Sequence, residues 1–162
     1  MLYKRSLLAT ALVAVLVAPA VVRGQENKAV ARRYLEEVVS KGNLAVVDEL
    51  VAPTYVGHST VAPEVKGPEG VKQRITQLRT AFPDIQFTID DLVAEGDKVA
   101  SRTTFRGTHK GDFMGVAPTG KAVTVTGIGI LRIANGKIQE GWLNTDLMHQ
   151  LSASPKMGQA SK

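Results

Sequence analysis

The sequence predicts an α+β fold in which a curved antiparallel sheet wraps around three N-terminal helices and encloses an apolar cavity of small-molecule size. Apolar residues recur at helical spacing in the first half of the chain and alternate with polar residues after Pro83. A sheet with one apolar face needs the preceding helices to cover it, and a long twisted sheet curls and leaves a concave space. Two glycines, Gly127 and Gly129, lie on an otherwise apolar strand face and add to that space.

The first twenty residues have the features of an export signal. Two basic residues at 4–5 precede an apolar run at 7–17, and small residues at 18–20 have the spacing that a signal peptidase accepts. We predict cleavage after residue 20, a linker at 21–26, and a secreted or periplasmic protein without stable membrane insertion. A cut near Gly24 is an alternative, and so is an uncleaved anchor, although the apolar run is short for a spanning helix.

The composition narrows the range of functions. Removal of residues 1–20 deletes two basic residues and no acidic ones, so the formal net charge falls from +5 to +3. The remaining basic residues form no dense run and aromatic residues are few, which argues against a nucleic-acid groove. The absence of cysteine excludes disulfides and thiolate metal sites. A mature chain of about 140 residues has room for one core.

Three helices are predicted in the first half of the chain. The apolar period indicates a helix over residues 27–41, and a second, short helix over residues 44–50 after a capping asparagine. A loop containing Tyr55 and His58 follows. A third helix begins at the Gly-Pro-Glu-Gly sequence that starts at residue 67, and it ends where Pro83 breaks the pattern.

Four long strands are predicted in the second half. Their ranges are 85–90, 99–109, 123–133 and 137–145. Asn135-Gly136 is a strong signal for a two-residue hairpin turn between the last two. Gly127 and Gly129 share strand parity with Val125 and Leu131, so either they enlarge a cavity or they mark a bend or bulge. Residues 152–162 are predicted to form a flexible tail.

Several segments together resemble one known family, the SnoaL-like polyketide cyclases or ester cyclases, over residues 27–151. The segments that carry the resemblance are Tyr55-Val56-Gly57-His58, Gly67-Pro68-Glu69-Gly70, Phe105 to Gly115, Pro118 to Lys121, and Leu131 to Ile138 followed by Trp142 and Asp146. The resemblance implies the cone-shaped fold shared with nuclear transport factor two, scytalone dehydratase and ketosteroid isomerase. It also implies a homodimer through the open sheet face, which agrees with apolar Ile128 and Ile130 on the opposite strand parity from the glycines.

The resemblance further implies an intramolecular aldol ring closure or isomerisation of a small apolar carbonyl compound, without a metal or organic cofactor. In such enzymes a buried carboxylate removes a proton from carbon while an apolar cavity folds the substrate. The family's acid-base aspartate aligns with Leu143 here, and its histidine partner aligns with Gly129. A noncatalytic module that binds a small molecule or dimerises is therefore the alternative function.

Asp146 and His58 are the candidate catalytic residues. The resemblance places Asp146 near the cavity end of the last strand, where it would act as a base, but an aspartate before a short C-terminal helix is also a good N-cap. His58 would lie at the mouth of the cone, where an imidazole can shuttle a proton or bind a carbonyl oxygen. The alternative for His58 is a solvated or structural loop residue.

Five further residues are candidates for contacts with substrate. They are Tyr55 as a hydroxyl donor, Trp142 as a flat wall, Asn144 on the same strand parity, and Phe113 and Met114 as a lid. Each has a structural alternative in the core or at the surface. His109 and His149 are expected to be solvated. The spacing of the three histidines, these two and His58, brings no two of them together as ligands with a carboxylate, so no metal site is predicted.

Overall fold

The computed structural model describes residues 19–60 and 62–152. The predicted signal up to residue 18 and the predicted tail from residue 153 lie outside the described residues. Among the described helices, none combines the length and the apolar character needed to cross a bilayer.

The helices cover one side of the molecule. Helix α1 (Pro19–Arg33) continues into a π-helical segment (Tyr34–Ser40), and a 3-10 turn (Leu44–Val46) leads into the short α2 (Val47–Leu50). Helix α3 (Gly67–Ala81) and the C-terminal α4 (Leu147–Ser152) complete the set. The three predicted N-terminal helices are therefore confirmed. The first begins earlier than predicted and includes residues 21–26, where two adjacent valines are followed by Arg-Gly-Gln-Glu and form no apolar stripe at helical spacing.

The sheet has six strands among the described residues. They are β1 (Val51–Ser59), β2 (Val65–Lys66), β3 (Gln86–Glu95), β4 (Lys98–Thr108), β5 (Ala122–Ala134) and β6 (Lys137–Thr145), in the spatial order β2-β1-β6-β5-β4-β3. All neighbours are antiparallel except β1 and β6, which run parallel. The predicted curved sheet is confirmed, although it is mixed and not wholly antiparallel.

Strand β1 replaces the loop predicted around Tyr55 and His58. Two features hide it in the sequence. Pro53 lies within it, and its register against β6 shifts between Val51 and Val56, which breaks the alternation of buried and exposed residues. The four predicted strands correspond to β3, β4, β5 and β6.

The register of the sheet defines two faces. The inner face meets the helices and includes Val125, Gly127, Gly129 and Leu131 on β5, while Ile128 on the same strand points to the outer face. The pairing of β5 with β4 and β6 is regular across both glycines, so they do not form a bulge. They enlarge the concave space, as the first of the two interpretations predicts.

His109 is a correction to the sequence-based expectation. It is 0% exposed at the end of β4, where its ring stacks on Phe82 at a centroid distance of 5.2 Å. Its Nδ1 lies 3.1 Å from the Thr119 hydroxyl and its backbone N–H donates to the Lys121 carbonyl. The apolar ring partner, 27 residues away in sequence, is what removes this histidine from solvent.

Candidate functional site

An apolar cavity of about 250 Å³ lies between the helices and the inner face of the sheet. Its wall includes members of both clusters of the core, among them Tyr55, Val71 and Ile75 from one and Phe105, Phe113 and Val125 from the other. The lining is mainly apolar, with hydroxyl groups from Ser101, Thr103 and Thr145. Such a lining with a few polar groups is typical of a small-molecule site.

Gly127 and Gly129 make room in this wall. A methyl group on Gly127 would meet Leu143 Cδ1 at 3.7 Å, and one on Gly129 would meet the same atom at 4.0 Å. The Leu143 side chain therefore lies beside both glycines and covers part of the space that they leave. Leu143 lines the cavity and is 47% exposed, so the cavity is open to solvent at this end.

The two positions that the family resemblance assigns to catalysis are neighbours in space. Gly129 on β5 is the direct register partner of Leu143 on β6, and Ser101 on β4 is the partner of Gly129 on its other side. The Ser101 hydroxyl donates to the Gly129 carbonyl at 3.3 Å. Within the part of the chain that the structure describes, no Asp or Glu lines the cavity.

Two phenols, Tyr34 and Tyr55, line the cavity. Neither hydroxyl has a hydrogen-bond partner among residues 19–60 and 62–152, and neither oxygen is sealed in the core, so both are accessible from the cavity. Burial raises the pKa of Tyr55 to about 12, and burial together with the neighbouring Tyr55 raises the pKa of Tyr34. Both phenols are therefore protonated near neutral pH and can donate to an oxygen atom in the cavity.

The Tyr55 hydroxyl occupies a slot between two glycines. A Cβ on Gly57 would lie 2.6 Å from the Tyr55 Oη, and a Cβ on Gly141 would lie 2.7 Å from it. These residues are register partners on β1 and β6, so the slot is part of the sheet itself. Glycine at both positions fixes where the phenol lies against the inner face.

His58 belongs to a charged cluster next to the cavity. Its Nε2 lies 3.0 Å from Glu140 Oε1 and its Nδ1 lies 3.2 Å from Glu64 Oε1. Its ring stacks on Trp142 at a centroid distance of 5.6 Å. Hydrogen bonds from His58 and Arg132 hold the pKa of Glu140 below its usual value, and the bond from His58 has the larger effect.

His58 and Trp142 are among the cavity-lining residues, but the strand alternation directs their side chains to the outer face. Gly57 and Gly141, which precede them in sequence, face inward. Lys98 Nζ lies 6.0 Å from the centre of the Trp142 ring, on the outer face. The two residues therefore lie at the rim, and Trp142 is not a wall deep in the cavity.

The structure does not bring Asp146 and His58 together. Asp146 is exposed immediately before α4, accepts a hydrogen bond from the Gln150 amide at 2.8 Å, and is absent from the cavity lining. Asn144 is exposed and lies with Asp146 at a shallow depression on the other side of the sheet. Asp146 therefore precedes α4 as an N-cap residue does, but its side-chain hydrogen bond is to the Gln150 amide and not to a backbone N–H of the helix.

Phe113 and Met114 both reach the cavity. Phe113 is buried against Phe82, and its backbone forms a tight pair of hydrogen bonds with Val116. Met114 is at the first central position of this turn, with a φ of 54°, which costs energy in a residue with a side chain. The turn presents the Met114 side chain to the cavity from the side of α3.

Many lining residues were missed by the sequence-based prediction, and Tyr34 and Arg74 are the most informative of them. Tyr34 belongs to the apolar stripe of the first helix, so periodicity assigns it to the core. Arg74 is on a polar position of α3, and helical spacing gives no sign that it would border a cavity. No group of three or more potential metal ligands among His, Cys, Asp and Glu occurs in the described ranges.

The fold and the site define a cone-shaped α+β protein with a small-molecule cavity between its helices and its curved sheet. The SnoaL-like polyketide cyclase family model matches residues 29–153. The chain belongs to this family, whose function is of the cyclase or isomerase type.

Individual relatives agree with this assignment. The chain is 27% identical over 112 residues to aklanonic acid methyl ester cyclase DauD of Streptomyces sp. (strain C5), an alignment that covers 67% of this chain and 69% of that protein. A SnoaL-like protein of Jannaschia sp. CCS1 superposes with a TM-score of 0.74 at 25% identity, over 85% of this chain and 97% of the other. AclR of Streptomyces galilaeus, a proposed hydroxylase, gives a TM-score of 0.67 at 32% identity over 82% and 99%.

Proposed function

We propose that this protein is an exported SnoaL-like enzyme that carries out cofactor-free acid-base chemistry on a small apolar carbonyl compound. An intramolecular aldol cyclisation or an isomerisation is the reaction type. The observation that carries the proposal is the pair of phenols, Tyr34 and Tyr55, which border an apolar cavity without a hydrogen-bond partner in the described chain.

The two phenols support this chemistry by stabilising negative charge. When a proton leaves the carbon next to a carbonyl group, charge develops on the carbonyl oxygen. Hydrogen-bond donors that are already in position stabilise that charge most in a site with little water. The raised pKa values of Tyr34 and Tyr55 keep both groups in the donor form. The apolar wall would hold a flexible substrate in a reactive conformation.

Two groups, His58 and Asp146, are proposed as the proton acceptor. His58 lies at the rim, and its two ring nitrogens are within hydrogen-bond distance of the Glu64 and Glu140 carboxylates. Asp146 is exposed outside the cavity. Variants at these two positions therefore distinguish a protein base from solvent.

A specific observation favours a second function, that of a noncatalytic binding module. Leu143 and Gly129 occupy the positions that the family resemblance assigns to its acid-base pair, and no carboxylate lines the cavity within the described residues. A protein with this cavity could hold an apolar carbonyl compound without changing it. The two functions share a ligand class and differ in turnover.

We further propose that two copies of the chain associate through the outer face of the sheet. Four apolar residues are exposed on that face, Val93, Ile128, Ile130 and Trp142, with Val93 66% and Ile128 53% exposed. An apolar patch of this kind is a feature of association surfaces.

From the predicted export signal we also propose that the mature protein acts outside the cytoplasm, on a scavenged or environmental molecule.

Proton exchange at an activated carbon tests the enzymatic proposal. The mature protein is added to a 2-substituted 1,3-diketone in deuterium oxide, and the loss of the proton signal is followed by NMR. We expect exchange above the buffer rate, and a decrease of about tenfold in Tyr34→Phe and in Tyr55→Phe, since removal of one oxyanion donor lowers rates by this amount or more. Thr124→Val, on the exposed outer face, is the matched control for the loss of a hydroxyl.

The outcomes separate the candidate roles. A lower rate in His58→Gln or Asp146→Asn would identify that residue as part of the proton path. Exchange at the buffer rate, together with ligand-induced shifts in the protein spectrum, would replace the enzyme with the binding module. No exchange and no binding would remove both functions.

A further inference from the structure

Arg74 is a cation on the wall of an otherwise apolar cavity. It lies in the middle of α3, is half-buried, and is the one permanently charged side chain in the cavity lining of the described chain. No Asp or Glu of the described residues lies within ion-pair distance of it, as is also true of Arg79, but Arg79 donates to the Ser40 carbonyl at 2.8 Å and does not line the cavity. An unpaired, partly desolvated guanidinium is uncommon unless it meets an anion.

The contacts that Arg74 does make are weak or few. One guanidinium nitrogen lies 3.9 Å from the Met114 sulfur, a poor acceptor, and another donates to the Pro63 carbonyl at 3.3 Å. A guanidinium carries five N–H donors, so most of them have no acceptor among the residues that the structure describes. The Met114 and Pro63 contacts orient the group beside two lining residues without neutralising its charge.

We propose that Arg74 binds an anionic oxygen group of the ligand, so that the cavity accepts an amphipathic carboxylate with an apolar body. This inference rests on the proposed small-molecule function and specifies the ligand class. The planar, bidentate geometry of guanidinium matches a carboxylate, and a charge-assisted hydrogen bond is stronger than one between neutral groups. The apolar wall contacts the body of the ligand, and the phenols Tyr34 and Tyr55 meet any carbonyl group farther along it.

A pair of ligands that differ only in charge tests this inference. 2-Naphthoate and 2-naphthamide have the same shape, and their binding to the mature protein is measured by NMR titration of the protein amide signals. We expect 2-naphthoate to bind about tenfold more tightly than the amide, equivalent to about 1.4 kcal/mol. In Arg74→Gln the preference falls to within about twofold, because the affinity for 2-naphthoate decreases and that for 2-naphthamide does not.

Two further variants make the result specific. Arg74→Lys keeps the charge without the bidentate geometry and should retain part of the preference. Arg106→Gln removes an exposed arginine from the outer face of β4 and should leave both affinities unchanged. Thermal melts of all variants establish that each is folded under the conditions of the titration.

The failure of this inference differs from the failure of the proposed function. If both ligands bind wild type equally, or if Arg74→Gln preserves the preference for 2-naphthoate, the role of Arg74 is overturned while the cavity still binds apolar molecules. If neither ligand binds wild type, the small-molecule function and the role of Arg74 are overturned together.

Discussion

Gly141 should be intolerant of a side chain, because the Tyr55 hydroxyl occupies the space next to it. A Cβ at position 141 would lie 2.7 Å from the Tyr55 Oη and 3.2 Å from Leu131 Cδ2, whereas ordinary contacts begin near 3.4 Å. Tyr55 is buried and Gly57 also borders its hydroxyl, so the ring can relieve this contact only by moving toward the cavity and losing its packing against the sheet. We expect Gly141→Ala to destabilise the fold by about 2 kcal/mol, within the range for overpacked sites.

Gly127 provides the matched control on the neighbouring strand. A Cβ there would meet its nearest atoms at 3.5 Å, and its backbone is not in the left-handed region. Gly127→Ala should therefore stabilise the fold by about 0.5 kcal/mol, through the lower entropy of the unfolded chain. The two substitutions add the same methyl group to the inner face and should change stability in opposite directions.

Urea unfolding measures both effects at one fixed protein concentration. With an m-value of about 2 kcal/mol/M, Gly141→Ala should lower the midpoint by about 1 M and Gly127→Ala should raise it by about 0.3 M. The double variant with Tyr55→Phe removes the colliding oxygen, so the cost of Gly141→Ala should fall by at least about 1 kcal/mol. Two results would refute this clash with the Tyr55 hydroxyl. One is a Gly141→Ala protein as stable as wild type, and the other is an equal loss in the free energy of unfolding when Gly141→Ala is made in the Tyr55→Phe background.

Three other properties of the molecule can be tested in the same preparations. Met114→Gly should be more stable than Met114→Ala by about 1 kcal/mol, since both remove the side chain and only glycine relieves the positive φ; equal urea midpoints would contradict the strain. Ile128→Arg should shift the protein to a smaller species in sedimentation velocity, whereas Thr76→Arg on an exposed helix position should not; a wild-type monomer would exclude the proposed dimer. Because the pKa of Glu140 is lowered in the fold, its stabilising contribution is complete above its unfolded pKa of about 4.3 and is lost as pH falls through the lower folded pKa. The stability difference between wild type and Glu140→Gln should therefore be constant at neutral pH and narrow below about pH 4, and a difference that is still present in strong acid would contradict this.

Local periodicity was sufficient to predict the elements whose faces differ clearly. The alternation on β5 also predicted the shared face of Gly127 and Gly129, and thereby the cavity. It was insufficient for β1, where Pro53 and a shift of register remove the alternation. The burial of His109 depends on Phe82, a contact between distant segments that local patterns do not contain.

The prediction of site residues was limited in a different way. Strand alternation groups Trp142 with Asn144, but it does not say which face of the strand becomes concave. The structure places the intervening Leu143 on the cavity side, with Gly141 and Thr145. Helical spacing similarly assigned Tyr34 to the core and Arg74 to solvent. The cavity forms only where the helices meet the sheet, so the pattern of one helix cannot indicate which of its residues border that space.

Three polar side chains of the cavity, Arg74, Tyr34 and Tyr55, share one chemical character, which limits what the site can do. Arg74 is a donor, and the raised pKa values of Tyr34 and Tyr55 make these phenols donors near neutral pH. The family resemblance expects the acid-base pair at positions 143 and 129, which here hold Leu143 and its register partner Gly129, and neither residue has a side chain that can accept a proton. A cavity with donors and no carboxylate in its described lining favours ligands rich in oxygen acceptors and stabilises negative charge on them. Any catalysis here would therefore depend more on stabilising an enolate than on a strong protein base, so removal of a phenol should lower the exchange rate more than removal of His58 or Asp146.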